Sequence, residues 1–184
     1  MAAIYFTTDP EANALLDNDY ALVVGLTLYQ QIPTEKAFLG PLVLRERLGG
    51  VLDADTVADM DPEKLERVFR EVPAIHRFPA SMAKRVQAVS RFIVDEYGGD
   101  ASALWANVRT AQELHDRLTA IPGFGDYKAR LTIGVLASHR GVKPSGFTKY
   151  LPDGPSIVDI KKPEDLPALS ARKKAWKQQH PAEV

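Results

Sequence analysis

The 184 residues carry 45% hydrophobic and 26% charged side chains with a net charge of −1, the balance of a folded globular chain rather than a disordered or collagen-like one. Cysteine is absent, which excludes disulfides, thiolate zinc sites and a cysteine-ligated iron–sulfur cluster. His76, His115, His139 and His180 do not fall at metal-motif spacings, no apolar run approaches the roughly 20 residues that span a bilayer, and the Met1–Tyr5 start lacks the form of a signal peptide. The expectation is a cytoplasmic monomer with no side-chain metal site and no membrane partner.

Helical signals dominate, with one short strand-like stretch at Ile4–Thr7. Asp9-Pro10 reads as an N-cap followed by proline at the first helical position, opening a helix to about Leu16. Residues 20–31 are apolar almost all round, the pattern of a helix buried at the centre of a bundle, and Pro33 ends them. Thr34 is expected to cap a helix to Leu48, kinked at Gly40-Pro41. Asp61-Pro62 opens the next, with Leu65, Val68, Phe69 and Val72 on one face. Pro79 or Ser81 starts a longer one, whose Met82, Val86, Val89, Ile93 and Tyr97 recur at helical spacing before Gly98-Gly99. Asp100 caps a short turn holding Leu104 and Trp105, and Thr110-Ala111-Gln112-Glu113 has the form of a capping box. A helix follows from about Asp126 to His139, then a loop rich in Pro and Gly, then a last helix near residues 168–178.

Between two of these helices lies Ile121-Pro122-Gly123-Phe124-Gly125. Two glycines one residue apart allow a tight turn and close approach of another backbone, while Phe124 can anchor the turn in the core. The helix that follows presents unpaired N–H groups and the positive end of its dipole, a fit for a DNA phosphate that reads no sequence. An ordinary helix–helix turn is the plainer reading of the same residues. Charge is distributed unevenly: residues 1–120 hold 12 basic and 18 acidic side chains, residues 121–184 hold 11 and 6. Such asymmetry suits a polyanion-binding face or a solvated basic helix at Arg172-Lys173-Lys174 and Lys177.

The hairpin resembles that of the helix–hairpin–helix (HhH-GPD) superfamily of base-excision DNA glycosylases, of the endonuclease III kind. Leu28-Tyr29-Gln30-Gln31 is similar to the family's Leu-x-Gln-Gln element, and Ser81-Met82-Ala83-Lys84-Arg85 to its Ser-Lys-Ala segment at the head of a long helix. The resemblance covers residues 20–142. It implies an all-α fold, taken as one compact unit over 1–184. A helical core at 20–142 would contain the helix–hairpin–helix at about 110–139, and the flanks 1–19 and 143–184 would pack together as a second lobe. It implies double-stranded DNA, damaged or mismatched, as partner, with a nucleotide extruded into a cleft and Gln31 or Gln30 filling the gap. Gly123, Gly125, Tyr127, Lys128, Lys84, Arg85 and Lys143 are the further candidate DNA contacts, and a monovalent cation at the hairpin carbonyls is allowed by the resemblance. A prokaryotic location would be the nucleoid.

Two departures limit the carry-over. The family's catalytic aspartate lies about twenty residues past the last hairpin glycine, where this chain has Ser145 and Gly146; neither supplies negative charge. Asp153 and Glu35 are the substitutes that can be named. The lyase lysine's position holds Tyr127, which argues against strand cleavage; Lys128 is one residue, roughly 100°, further round the helix. The resemblance therefore implies a monofunctional glycosylase or, alternatively, a catalytically silent module that recognises lesions or DNA structure.

Overall fold

A computed structural model describes residues 2–181, and among these nine α-helices and three short 3-10 turns account for the regular structure. The Ile4–Thr7 stretch is irregular rather than a strand. Its Phe6 is fully buried, tilted against Phe38 and edge-on to His139, and the neighbouring Ala2 N–H donates to the His139 carbonyl (3.3 Å). Burial of Ile4 and Phe6 and hydrogen bonds of Thr7 with the Asn13 side chain, not sheet pairing, hold this segment.

Side-chain caps start five of the nine helices, three of them (Asp9, Asp61 and Thr110) where the sequence places them. Asp9 accepts from the Ala12 N–H (2.9 Å) at the start of α1 (Pro10–Leu15), and Asn18 from Ala21 (2.9 Å) at the start of α2 (Asp19–Leu28). In α2 every residue from Tyr20 to Leu28 is buried, as its lack of a polar face requires. It stops three residues earlier than the apolar pattern suggests, because Tyr29 leaves helical geometry and Gln31 takes a φ of 57°. The next helix, α3 (Thr34–Arg47), has Thr34 as its first helical residue instead of its cap, and it continues through Pro41 without interruption. Gly25 lets α2 and α3 meet closely: a β-carbon there would stand 2.6 Å from the Phe38 ring.

A short helix that the periodicity did not reveal, α4 (Ala54–Asp59), is capped by Asp53; α5 (Pro62–Arg70) is capped by Asp61 as expected. Both lie against the long α6 (Pro79–Tyr97), which also touches α2. Arg47 ties the end of α3 to the α5–α6 connection, donating to the carbonyls of Val68 (2.8 Å), Glu71 (3.0 Å) and Pro73 (2.8 Å).

Thr110 caps α7 (Ala111–Thr119) through the Glu113 N–H (3.1 Å), but the Glu113 carboxylate reaches back to the Arg109 N–H (3.1 Å) instead of to Thr110, so the box closes one residue early. The next helix, α8 (Asp126–His139), packs along α7 and is the second buried rod of the fold, with nine residues inside from Ala129 to His139. The last, α9 (Asp165–Gln179), begins three residues before its expected start and buries Leu169. No helix among the described residues is long and apolar enough to cross a membrane.

Candidate nucleic-acid interface

The hairpin between α7 and α8 is built around two side chains that point inward. Ile121 and Phe124 are buried, and the Phe124 N–H donates to the Ile121 carbonyl (3.0 Å), closing the turn. Gly123 takes a φ of 82°, a conformation that side chains resist. It also carries the Arg85 side chain directly on its face, so a β-carbon at Gly123 would overlap the guanidinium and stand 2.7 Å from Arg85 Cδ. Gly125 opens α8 with no side-chain cap. The first-turn N–H groups are therefore free for an external acceptor, beside a guanidinium already laid over the turn.

Lys128 is turned inward from the same helix start. Its ammonium donates to the Thr27 carbonyl (3.1 Å) near the end of α2 and lies 5.3 Å from the Phe124 ring centre. Burial, helped by the charge of Arg85, brings it down to about 8. The lysine thus closes the C-terminal end of α2, where carbonyls lack helical partners, and links that end to the start of α8. Tyr127, the neighbouring residue, is 58% exposed, and the charges of Lys173 and Arg130 reach its phenol. Asp126 offsets part of this positive field; His115 Nε2 pairs with its carboxylate at 2.8 Å.

Gln30 and Gln31 form an exposed loop immediately beyond α2. A residue without sequence prominence fixes it. His76 is 1% exposed; the Phe78 N–H donates to its Nδ1 (3.0 Å), which leaves Nε2 as the protonated nitrogen, facing the carbonyls of Gln30 (3.0 Å) and Leu28 (3.1 Å). Burial pushes the imidazole below the ordinary histidine range, against the pull of those two carbonyls, and the charges of Lys36 and Lys128 act in the same direction as burial. A neutral, single-tautomer histidine therefore pins the backbone of the Gln-Gln loop from beneath. Phe78, 42% exposed, and Arg77, stacked on its ring at 5.2 Å, stand beside it.

The candidate residues divide into two groups. Gly123, Gly125, Tyr127, Lys128 and Arg85 gather at the hairpin, and the Thr27–Lys128 link joins them to Gln30 and Gln31. Lys84 lies elsewhere: it shares a shallow surface with Asp59, Gln87 and Arg91 between α4 and α6, one residue round the helix from Arg85. Lys143 stands past the far end of α8, a 14-residue helix and so roughly 20 Å long, where its charge acts on Lys161. Ser145 pairs with the backbone of Arg109 (3.0 Å) and Ala111 (2.9 Å) at the start of α7. That end is separated from the hairpin by the nine residues of the helix, roughly 14 Å. Gly146 follows it in a left-handed turn.

Of the two substitute carboxylates, Asp153 is held at 3.4 Å by Arg130, one turn along α8 from Tyr127, and is largely exposed. Glu35 lies in the first turn of α3, where its Oε1 accepts from the Thr8 N–H (3.0 Å) and from the Thr8 hydroxyl. It lines a groove of about 470 Å³ bounded by the 29–35 segment, Thr8 and α9. Lys173 on α9 donates to the Tyr29 hydroxyl (2.8 Å) across the same groove. Tyr29 itself is half-buried, its ring 5.6 Å from that of Phe38. No group of three or more His, Asp or Glu side chains placed to hold a metal occurs among the described residues. No family model, curated protein or solved structure matches the chain.

Proposed function

We propose that this is a DNA-binding protein of the helix–hairpin–helix glycosylase kind, which engages damaged or mismatched duplex and removes a base without cutting the strand. One observation carries the reading: an uncapped helix start at Gly125, with Arg85 laid over Gly123, is tied through Lys128 to Thr27 near the end of α2, which leads into the loop bearing Gln31. The first half suits a phosphate, the second a nucleotide-sized gap in the duplex. The exposed Tyr127 and the inward-turned Lys128 support excision by water rather than through an amine on the protein.

The test is a panel of duplexes carrying uracil, alkylated, oxidised and mismatched bases, assayed for abasic product at enzyme excess and for binding as salt is raised. Abasic product from one duplex class, with affinity falling steeply with salt, is the expected result. Absence of binding to every duplex overturns the proposal. The alternative, a silent module that binds lesions or distorted duplex, is favoured by the position of Ser145 at the other end of α7 from the hairpin. Lesion-selective binding without product decides for it.

A further inference from the structure

The groove between α9 and the 29–35 segment adjoins the Gln-Gln loop, which Tyr29 directly precedes. Its walls are apolar at Ile32, Pro33 and Leu169 and polar at Thr8, Tyr29, Thr34, Glu35, Ser170 and Lys173. At about 470 Å³ it falls in the range of small-ligand sites, which combine apolar walls with a few oriented polar groups.

Those polar groups are complementary in sign. Glu35 has Oε1 engaged by both donors of Thr8, which fixes the carboxylate and leaves Oε2 without a hydrogen-bond partner among the described residues. Lys173 spends one of its three N–H donors on the Tyr29 hydroxyl, to which the Thr34 hydroxyl also donates (3.2 Å), and the ammonium stands 5.5 Å from the Tyr29 ring centre. The groove therefore offers a held acceptor and a held donor.

From this we infer that the groove receives one extruded nucleobase and selects a base whose edge is a lactam, a keto oxygen beside a ring N–H. The inference rests on the DNA-binding reading above and deepens it. A carboxylate can only accept: it takes the ring N–H of uracil, thymine, hypoxanthine or guanine, and repels the bare ring nitrogen that cytosine and adenine present at that position. An ammonium can only donate: it takes the adjacent keto oxygen and faces an amino group donor to donor. Held polar groups disfavour the mismatched edge, because the wrong base sets its lone pair against the carboxylate and its amino group against the ammonium. The glycosidic tether fixes which way round the base enters, so the order of donor and acceptor along its edge is read.

The test uses short duplexes in which a 2′-fluorinated uracil, hypoxanthine, cytosine or adenine nucleotide resists cleavage. Each is placed opposite a tetrahydrofuran spacer so that no pairing partner biases extrusion. The expected result is affinity for the uracil and hypoxanthine duplexes at least about tenfold above that for the cytosine and adenine duplexes. Glu35→Gln and Lys173→Met should each bring that ratio below about threefold. The ratio is measured within one preparation, so a variant that is partly unfolded does not imitate the effect. Equal affinity for all four duplexes, a preference for the amino bases, or a ratio unchanged in both variants overturns the inference and leaves the DNA-binding reading standing. Failure to bind any of them removes both.

Discussion

Replacing His76 by phenylalanine keeps an aromatic ring in the space under the Gln-Gln loop and removes its hydrogen bonds. Nε2–H serves two carbonyls, Gln30 at 3.0 Å and Leu28 at 3.1 Å, so it counts as one shared donor; Nδ1 serves the Phe78 N–H at 3.0 Å. The change strands a donor and at least one acceptor in a site where the ring is 1% exposed. At about 1–3 kcal/mol for each of the two unsatisfied groups, the loss is about 2–6 kcal/mol, a large part of a domain's usual stability. Urea unfolding should show an unchanged slope and a midpoint lowered by roughly 1–2 M. Binding to a lesion duplex, measured well below that midpoint, should weaken more than binding to an intact duplex, because the loop that carries Gln31 is no longer pinned. A midpoint shift below about 0.3 M would mean that the buried hydrogen bonds are worth far less than their isolation implies. Unchanged selectivity together with the full shift would refute the role of His76 in positioning the loop.

The salt dependence of DNA binding tests Arg85. If its guanidinium meets one phosphate at the hairpin, Arg85→Gln lowers the slope of log affinity against log salt by about 0.9, while Lys84→Gln, on the α4–α6 face, leaves it unchanged. Two buried histidines make stability depend on pH in the mildly acidic range. Both His76 and His139 are held below the ordinary value by burial, so the unfolded chain binds more protons than the folded one as pH falls below about 6.5. Stability is therefore full above that value and declines below it, by up to about 1.4 kcal/mol per pH unit for each histidine, until the depressed folded values are passed. Urea midpoints between pH 7.5 and 5 should trace this decline, and His76→Phe should make it shallower; a flat profile in both proteins would count against neutral burial of the rings.

Much of the helical framework can be read from the chain because it rests on local signals. Asp9, Asp61 and Thr110 each cap the helix they precede, and the all-apolar run of α2 can only be central. What escaped depends on tertiary contacts. The six residues of α4 are too few to display a period, and are stabilised by lying on α6. The end of α2 is set by His76 and Lys128, which arrive from 48 and 101 residues away. In the candidate site, Lys84 and Arg85 look equivalent in sequence, yet one step along α6 sends them to different surfaces. Lys173 was legible only as part of a basic run, and its meeting with Tyr29 spans 144 residues. Lys143 follows α8 directly, so only the direction of that helix reveals its distance from the hairpin.

The Lys128–Thr27 contact has a mechanical consequence. It fastens the start of α8, next to the turn at Gly123, to the end of α2, which leads into the loop at Gln31, so the two form a bracket. A duplex that touches both jaws must conform to the bracket, and the bending and unstacking fall on the nucleic acid. Such distortion is cheapest where stacking is already weak, at a mismatch or a damaged base. On the proposed reading, discrimination would begin as a comparison of stiffness, before any atom of the base has been inspected.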